Sequence, residues 1–175
     1  MNKPEREARR VLNELTVRTT PVDVSAIAEQ LGAEIRYRRF DDDISGLLVR
    51  DADSKVIGVH VDHSKTRQRF TIAHEIGHLV MHKGDDRVIV EHLRITKVNW
   101  RDNVSAQATD REEIEANQFA AALLMPSDEL QEYVRIVAPH GANEGHVQTL
   151  ARKFNVSAQS MRFRLLNLAL LDPVQ

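Results

Sequence analysis

Residues His74, Glu75, Ile76, Gly77 and His78 spell H-E-x-x-H. The run around them reads as a helix, and on a helix positions four apart share a face. Both imidazoles therefore point the same way, close enough to hold one metal ion. Glu75 sits one residue on, where a carboxylate can take a proton from water activated by that ion. This is the arrangement of a zinc hydrolase.

The neighbouring residues fit a buried helix. Ser64 to Gly84 contains no proline; Ser64 or Thr66 can cap its start and Gly84 can stop it after Lys83. Phe70, Ile72, Ala73, Ile76, Leu79, Val80 and Met81 make its second half apolar, as in a helix buried at the centre of a fold. Two histidines and a glutamate in such a helix must be satisfied, and metal binding does so. Gly77 costs the helix about 1 kcal/mol relative to alanine, and it lets another backbone approach closely.

A catalytic zinc site wants a third protein ligand besides water. Three glutamates compete on a second apolar helix, Glu112, Glu113 and Glu115. Glu113 shares its face with Ala116, Asn117, Ala120 and Leu124, small or buried types suited to packing against Gly77. Asn117, one turn later, can bond the free ring nitrogen of a ligating histidine. Glu113 is therefore favoured. Glu115, which shares its face with Phe119 and Ala122, is the main rival, and Glu112 lies on a wetter side. His82 follows His78 by four residues, but it lies about 12 Å of helix rise from His74, too far to share one ion. It is expected to cap the helix or sit at the rim. His60, His63 and His92 lack metal spacing and read as surface or hairpin residues.

Bulk properties narrow the function classes. The chain has 175 residues, enough for one compact domain with a small appendage. The formal charge of −2 gives no overall basicity to argue for nucleic acid. There is no cysteine, which excludes disulfides and thiolate-ligated zinc. No apolar run is long enough to span a membrane, and the charged start is not followed by the apolar stretch of a signal peptide. A cytoplasmic location is expected.

The patterning predicts an α+β fold: a small, mainly antiparallel three-stranded sheet packed on a helical bundle. Residues 4–18 read as an amphipathic helix, and Val24 to Leu31 as a second one capped by Asp23 and ended by Gly32. Strands are expected at 33–40, 44–50 and 56–61, the last two as a hairpin. Residues 85–110 are polar and irregular, with short apolar pieces at 88–90 and 98–100. The second apolar helix runs from about Asp110 to Met125, and another follows Pro126, capped by Ser127 or Asp128. After a loop at 139–145, two helices close the chain at about 146–154 and 158–170. The expected division is a core at 1–138 and a C-terminal helical extension at 139–175.

The chain resembles the ImmA/IrrE-type metallopeptidases of bacteria and their mobile elements. The resemblance rests on Thr66-Arg-Gln-Arg-Phe-Thr-Ile-Ala-His-Glu-Ile-Gly-His78 and Glu115-Ala-Asn-Gln-Phe-Ala-Ala-Ala-Leu-Leu-Met-Pro126. Weaker matches are 21–32, 44–48 and 150–157. The resemblance implies a thermolysin-like zinc site with ligands at His74, His78 and Glu113 and a general base at Glu75. It also implies a protein substrate, a helix-turn-helix repressor of the XRE type cut to release an operon, and some relatives act in stress response or toxin–antitoxin modules. Under this reading the 44–50 strand or the 98–100 piece pairs with an extended substrate, and Tyr133, His140 and His146 are candidate oxyanion donors.

Other functions compete with this one. Residues 146–170 are spaced like a helix-turn-helix, with Asn155 in the turn, Ser157 capping the second helix, and Arg152, Lys153, Arg162 and Arg164 as basic groups. That permits a DNA-binding regulator; the alternative is a hairpin packed on the core through Val156, Met161, Leu165, Leu168 and Leu171. A third reading, a partner-binding fold with a weak or inactive site, conflicts with the intact H-E-x-x-H, Glu113 and Asn117.

Overall fold

The computed structural model describes residues 1–40, 44–50, 54–82, 87–92, 105–139 and 141–171, with the backbone alone at 87–92 and 105–109. Helices α1 (Lys3–Glu14) and α2 (Val24–Gln30) precede strands β1 (Glu34–Arg38), β2 (Ile44–Arg50) and β3 (Lys55–His60). Then come α3 (Lys65–Met81), β4 (Arg87–His92), α4 (Ser105–Leu124), α5 (Ser127–Val137), α6 (Glu144–Phe154) and α7 (Ala158–Asn167). The class is α+β, as the patterning predicts.

Several helix ends form where the side chains require. Asp23 accepts from the N–H groups of Ser25 and Ala26, Ser64 from Arg67, and Ser157 from Ser160. Each satisfies a donor that the first helical turn leaves open. Gly32 follows α2 with φ 77°, the backbone region that glycine enters freely. Other boundaries differ from expectation. Helix α1 ends at Glu14 rather than near 18, and Thr16 takes φ 55°. Helix α5 has Pro126 at its cap position with no side-chain cap bond, so neither Ser127 nor Asp128 caps it.

The sheet has the order β1-β3-β2-β4. The hairpin β2–β3 is antiparallel, β2–β4 is antiparallel, and β1 joins β3 in parallel. Three expected strands thus become four. The fourth falls in the stretch read as irregular, at its 88–90 apolar piece. Strand β2 is paired along both edges, which removes Ile44–Arg50 as a strand for substrate pairing. The 98–100 piece lies outside the described residues, as do Lys83 and Gly84.

Helix α3 runs through the core with Thr71 to His78 all buried. It is tied down along its length. Gln68 donates to the carbonyls of His60 and Val61 at 3.1 and 2.9 Å. Arg69 donates to the Val22 and Asn155 carbonyls, and Arg50 of β2 donates to the His82 carbonyl at its far end. Its closest partner is α4. A Cβ built on Gly77 would lie 3.1 Å from Phe119 Cδ1 and 3.2 Å from Ala116 Cα. Gly77 and Ala116 therefore set the short helix–helix distance, as the sequence suggests.

The last two helices pack into the same core through Val147, Leu150, Phe154, Met161 and Leu165. Arg164 of α7, only 6% exposed, donates to Glu5 of α1 through both terminal nitrogens at 2.8 Å and to the Met125 carbonyl at 3.0 Å. Burial pushes the Glu5 carboxyl up, but Arg164, with help from Ser127 and Arg9, more than offsets it and holds the group below its ordinary value near 4.5. The stability this pair contributes is thus complete above about pH 4.5 and is lost as pH falls below it. Glu5→Gln leaves a buried cation short of its partner and should cost about 3–5 kcal/mol at pH 7. That is on the order of 10 °C in a thermal melt, and the penalty should shrink on acidification below about pH 4.5.

Candidate metal centre

The first half of the site comes from one face of α3. His74 and His78 are 0% and 1% exposed, and their Nε2 atoms lie 3.0 Å apart. Two rings four positions apart on a rigid helix must meet in this way. Helix α4 supplies the third group. Glu113 Oε2 is 3.2 Å from His74 Nε2, and its Oε1 is 3.1 Å from His78 Nε2. Among the described residues His74, His78 and Glu113 form a cluster able to hold a metal ion, with ligand atoms all within 4.8 Å of one another.

The outer atoms of the rings fit that use. His74 Nδ1 lies 3.0 Å from Asn117 Oδ1. An amide oxygen there accepts a hydrogen bond from Nδ1–H, which keeps the proton on Nδ1 and leaves Nε2 with its lone pair facing the cluster. The donor set, two imidazoles and one carboxylate, suits zinc and its divalent neighbours.

Burial acts to raise the Glu113 carboxyl. The neighbouring imidazoles of His74 and His78 more than cancel that and hold it well below the usual carboxylate range. The side chain is 34% exposed, so the cluster opens to solvent on the α4 side. Glu75, the residue after His74 on α3, is fully buried. A Cβ on Gly46 of β2 would come within 3.3 Å of Glu75 Oε1 and would collide with the Thr71 methyl. The missing side chain at 46 thus lets the central strand press against the helix beside Glu75.

Glu115, the rival third ligand, turns away from the cluster. Its carboxylate is held by Lys3 Nζ at 2.9 Å and Arg111 Nε at 3.1 Å, and lies 3.4 Å from His82 Nε2. Lys3 is the main cause that draws its pKa down to about 2. His82 caps α3, as expected, but it is 7% exposed rather than at the rim, and its Nδ1 is 3.0 Å from His78 Nδ1. Its pKa is lowered by burial first and by His78 second. The i,i+4 spacing from His78 was the signal for this contact. Gly46 carried no signal of its own.

A family profile described as the IrrE N-terminal-like domain matches residues 28–166. The chain belongs to the M78 peptidase family. The match takes in both helices of this M78 site and most of the C-terminal pair. No curated protein matches the chain. A solved structure, a Mycobacterium tuberculosis transcriptional regulator, matches with a TM-score of 0.63 at 20% identity, over 94% of this M78 chain and 47% of that one. The likeness is one of fold, and the chain spans about half the length of that protein.

Of the remaining candidates, those with described side chains have other employment in this M78 fold. Tyr133 packs edge-on to Phe154 under the Lys153 ammonium. His146 Nδ1 accepts the Asn143 N–H in a capping box at the start of α6. His140 lies outside the described residues, and of His92 only the backbone is described. His60 ends β3 of the hairpin, as one of the two expected readings has it, and is buried, with Nε2 donating to the Phe40 carbonyl and its ring stacked on His63. The helix-turn-helix spacing is real: Asn155 turns the chain between α6 and α7 with φ 53°. Its basic groups are largely engaged, Arg164 on Glu5 and Arg162 on Glu144 at 2.6 Å.

Proposed function

We propose that this chain is a zinc-dependent endopeptidase that cuts a regulatory protein. The observation that carries the reading is the convergence of His74, His78 and Glu113 beside the buried Glu75. In this reading the three residues hold Zn2+, Asn117 fixes the His74 ring, and Glu75 is the general base. A Zn2+ ion bound there supplies Lewis acidity toward the scissile carbonyl and strengthens the acidity of water. Glu75 takes the proton of the attacking water and passes it to the leaving amine. The α3–α4 packing keeps Glu113 on the two imidazoles, so the base and the ligands stay aligned.

With β2 enclosed, β4 is the sheet's edge strand on that side among the described residues. An extended substrate can add to its outer edge by backbone pairing. The substrate class we favour is a helix-turn-helix repressor of the XRE type or an antitoxin, cut in the cytoplasm. Family membership and the motif resemblance support it, and no described helix is long and apolar enough to cross a membrane. The engaged arginines of α7, Arg162 and Arg164, favour packing of the 139–175 extension on the 1–138 core over DNA binding.

The test is incubation of the Zn2+-loaded chain with a panel of XRE-type repressors, read by mass spectrometry. Discrete fragments should appear, vanish with 1,10-phenanthroline and return with added Zn2+. Fragmentation indifferent to the chelator would remove zinc from the reaction. Intact repressors throughout would remove the substrate class.

A further inference from the structure

The two histidines of the cluster are held from behind in different ways. A ligating imidazole binds through one nitrogen, and its other N–H needs an acceptor to fix the tautomer and the ring angle. His74 has the amide of Asn117. His78 has a second imidazole, that of His82, and behind it a carboxylate.

We propose that His82 and Glu115 form a positioning relay that orients His78 for the metal. The proposal rests on the zinc reading above. Only one proton fits between His78 Nδ1 and His82 Nδ1 at 3.0 Å. With Nε2 of His78 given to the metal, His78 Nδ1 carries that proton and His82 Nδ1 accepts it. The proton of His82 itself then sits on Nε2, which faces Glu115 Oε2 at 3.4 Å. Glu115 is anchored in turn by Lys3 of α1 and Arg111 of α4. The backbone of His82 is equally fixed, its N–H on the His78 carbonyl at 3.1 Å and its own carbonyl on Arg50 at 3.0 Å.

This relay explains the division of labour between two glutamates two positions apart on α4. Glu113 reaches the Nε2 side of the rings directly, whereas Glu115 reaches His78 only through His82. The relay crosses three elements, the end of α3, α4 and the start of α1. It therefore couples the ring angle of His78 to the packing of the N-terminal helix. His82 is a positioning residue and touches neither metal nor substrate.

The test measures Zn2+ affinity by competition with a chromophoric chelator, and the visible spectrum of the Co2+-loaded protein. His82→Ala should weaken Zn2+ binding by about 10–100-fold and alter the Co2+ ligand-field bands. His82→Gln should recover most of the affinity, because its amide can accept from His78 and donate to Glu115. In 15N-histidine NMR of the Zn2+-loaded wild type, protons should sit on His78 Nδ1 and His82 Nε2. His82→Ala with wild-type affinity and spectrum overturns the relay, as does a proton found on His82 Nδ1. His82→Gln as weak as His82→Ala, with both melting like wild type when metal-free, overturns it too. A wild-type chain that binds neither ion overturns the zinc reading itself, and the relay with it.

Discussion

Glu75→Gln is expected to lower peptide hydrolysis by about 10²–10⁴-fold while the purified protein keeps its full zinc content. Glutamine has nearly the shape of glutamate, so the fit of this buried side chain beside Gly46 persists. What disappears is the ability to accept a proton. None of the three clustered groups is touched, so metal binding should not change. A buried carboxylate is also costlier to desolvate than an amide, so the variant should melt no lower than wild type. Elemental analysis, thermal melting and the repressor assay on one preparation separate these effects. Undiminished cleavage by the loaded variant would end the general-base assignment.

How much of this was legible in the chain follows from which interactions are local. Spacing on one helix brings His74 and His78 together, and the structure repeats it with Nε2 atoms 3.0 Å apart. Small residues at 77 and 116 announced close approach of two helices. Caps at Asp23, Ser64 and Ser157 are bonds between near neighbours and were read as such. What was missed depends on distant partners. Strand β4 exists because it pairs with β2, some forty residues upstream, and its own residues alternate too briefly to signal it. The parallel pairing of β1 with β3 rather than with its sequence neighbour is likewise a property of the whole sheet. That His82 also meets Glu115 was not visible, because Glu115 comes from another helix. Glu115 itself looked like a rival ligand because helical projection ranks faces but ignores Lys3, which arrives from α1.

Glu113→Ala should come out of purification without zinc, whereas Glu115→Ala should come out loaded. The first change removes the group whose two oxygens lie 3.1 and 3.2 Å from the histidine nitrogens. Two imidazoles alone leave the ion short of a protein ligand and of the negative charge that partly neutralises it. The loss should exceed the roughly 10–100-fold typical of removing a residue that merely supports a ligand. The second change removes contacts to Lys3, Arg111 and His82 but none to the cluster's inner atoms. It should therefore weaken binding without emptying the site at stoichiometric zinc. Elemental analysis of the two variants beside wild type decides between the carboxylates. A loaded Glu113→Ala and an empty Glu115→Ala would exchange their roles, and would require α4 to turn so that Glu115 leaves Lys3 and faces Nε2 of both rings.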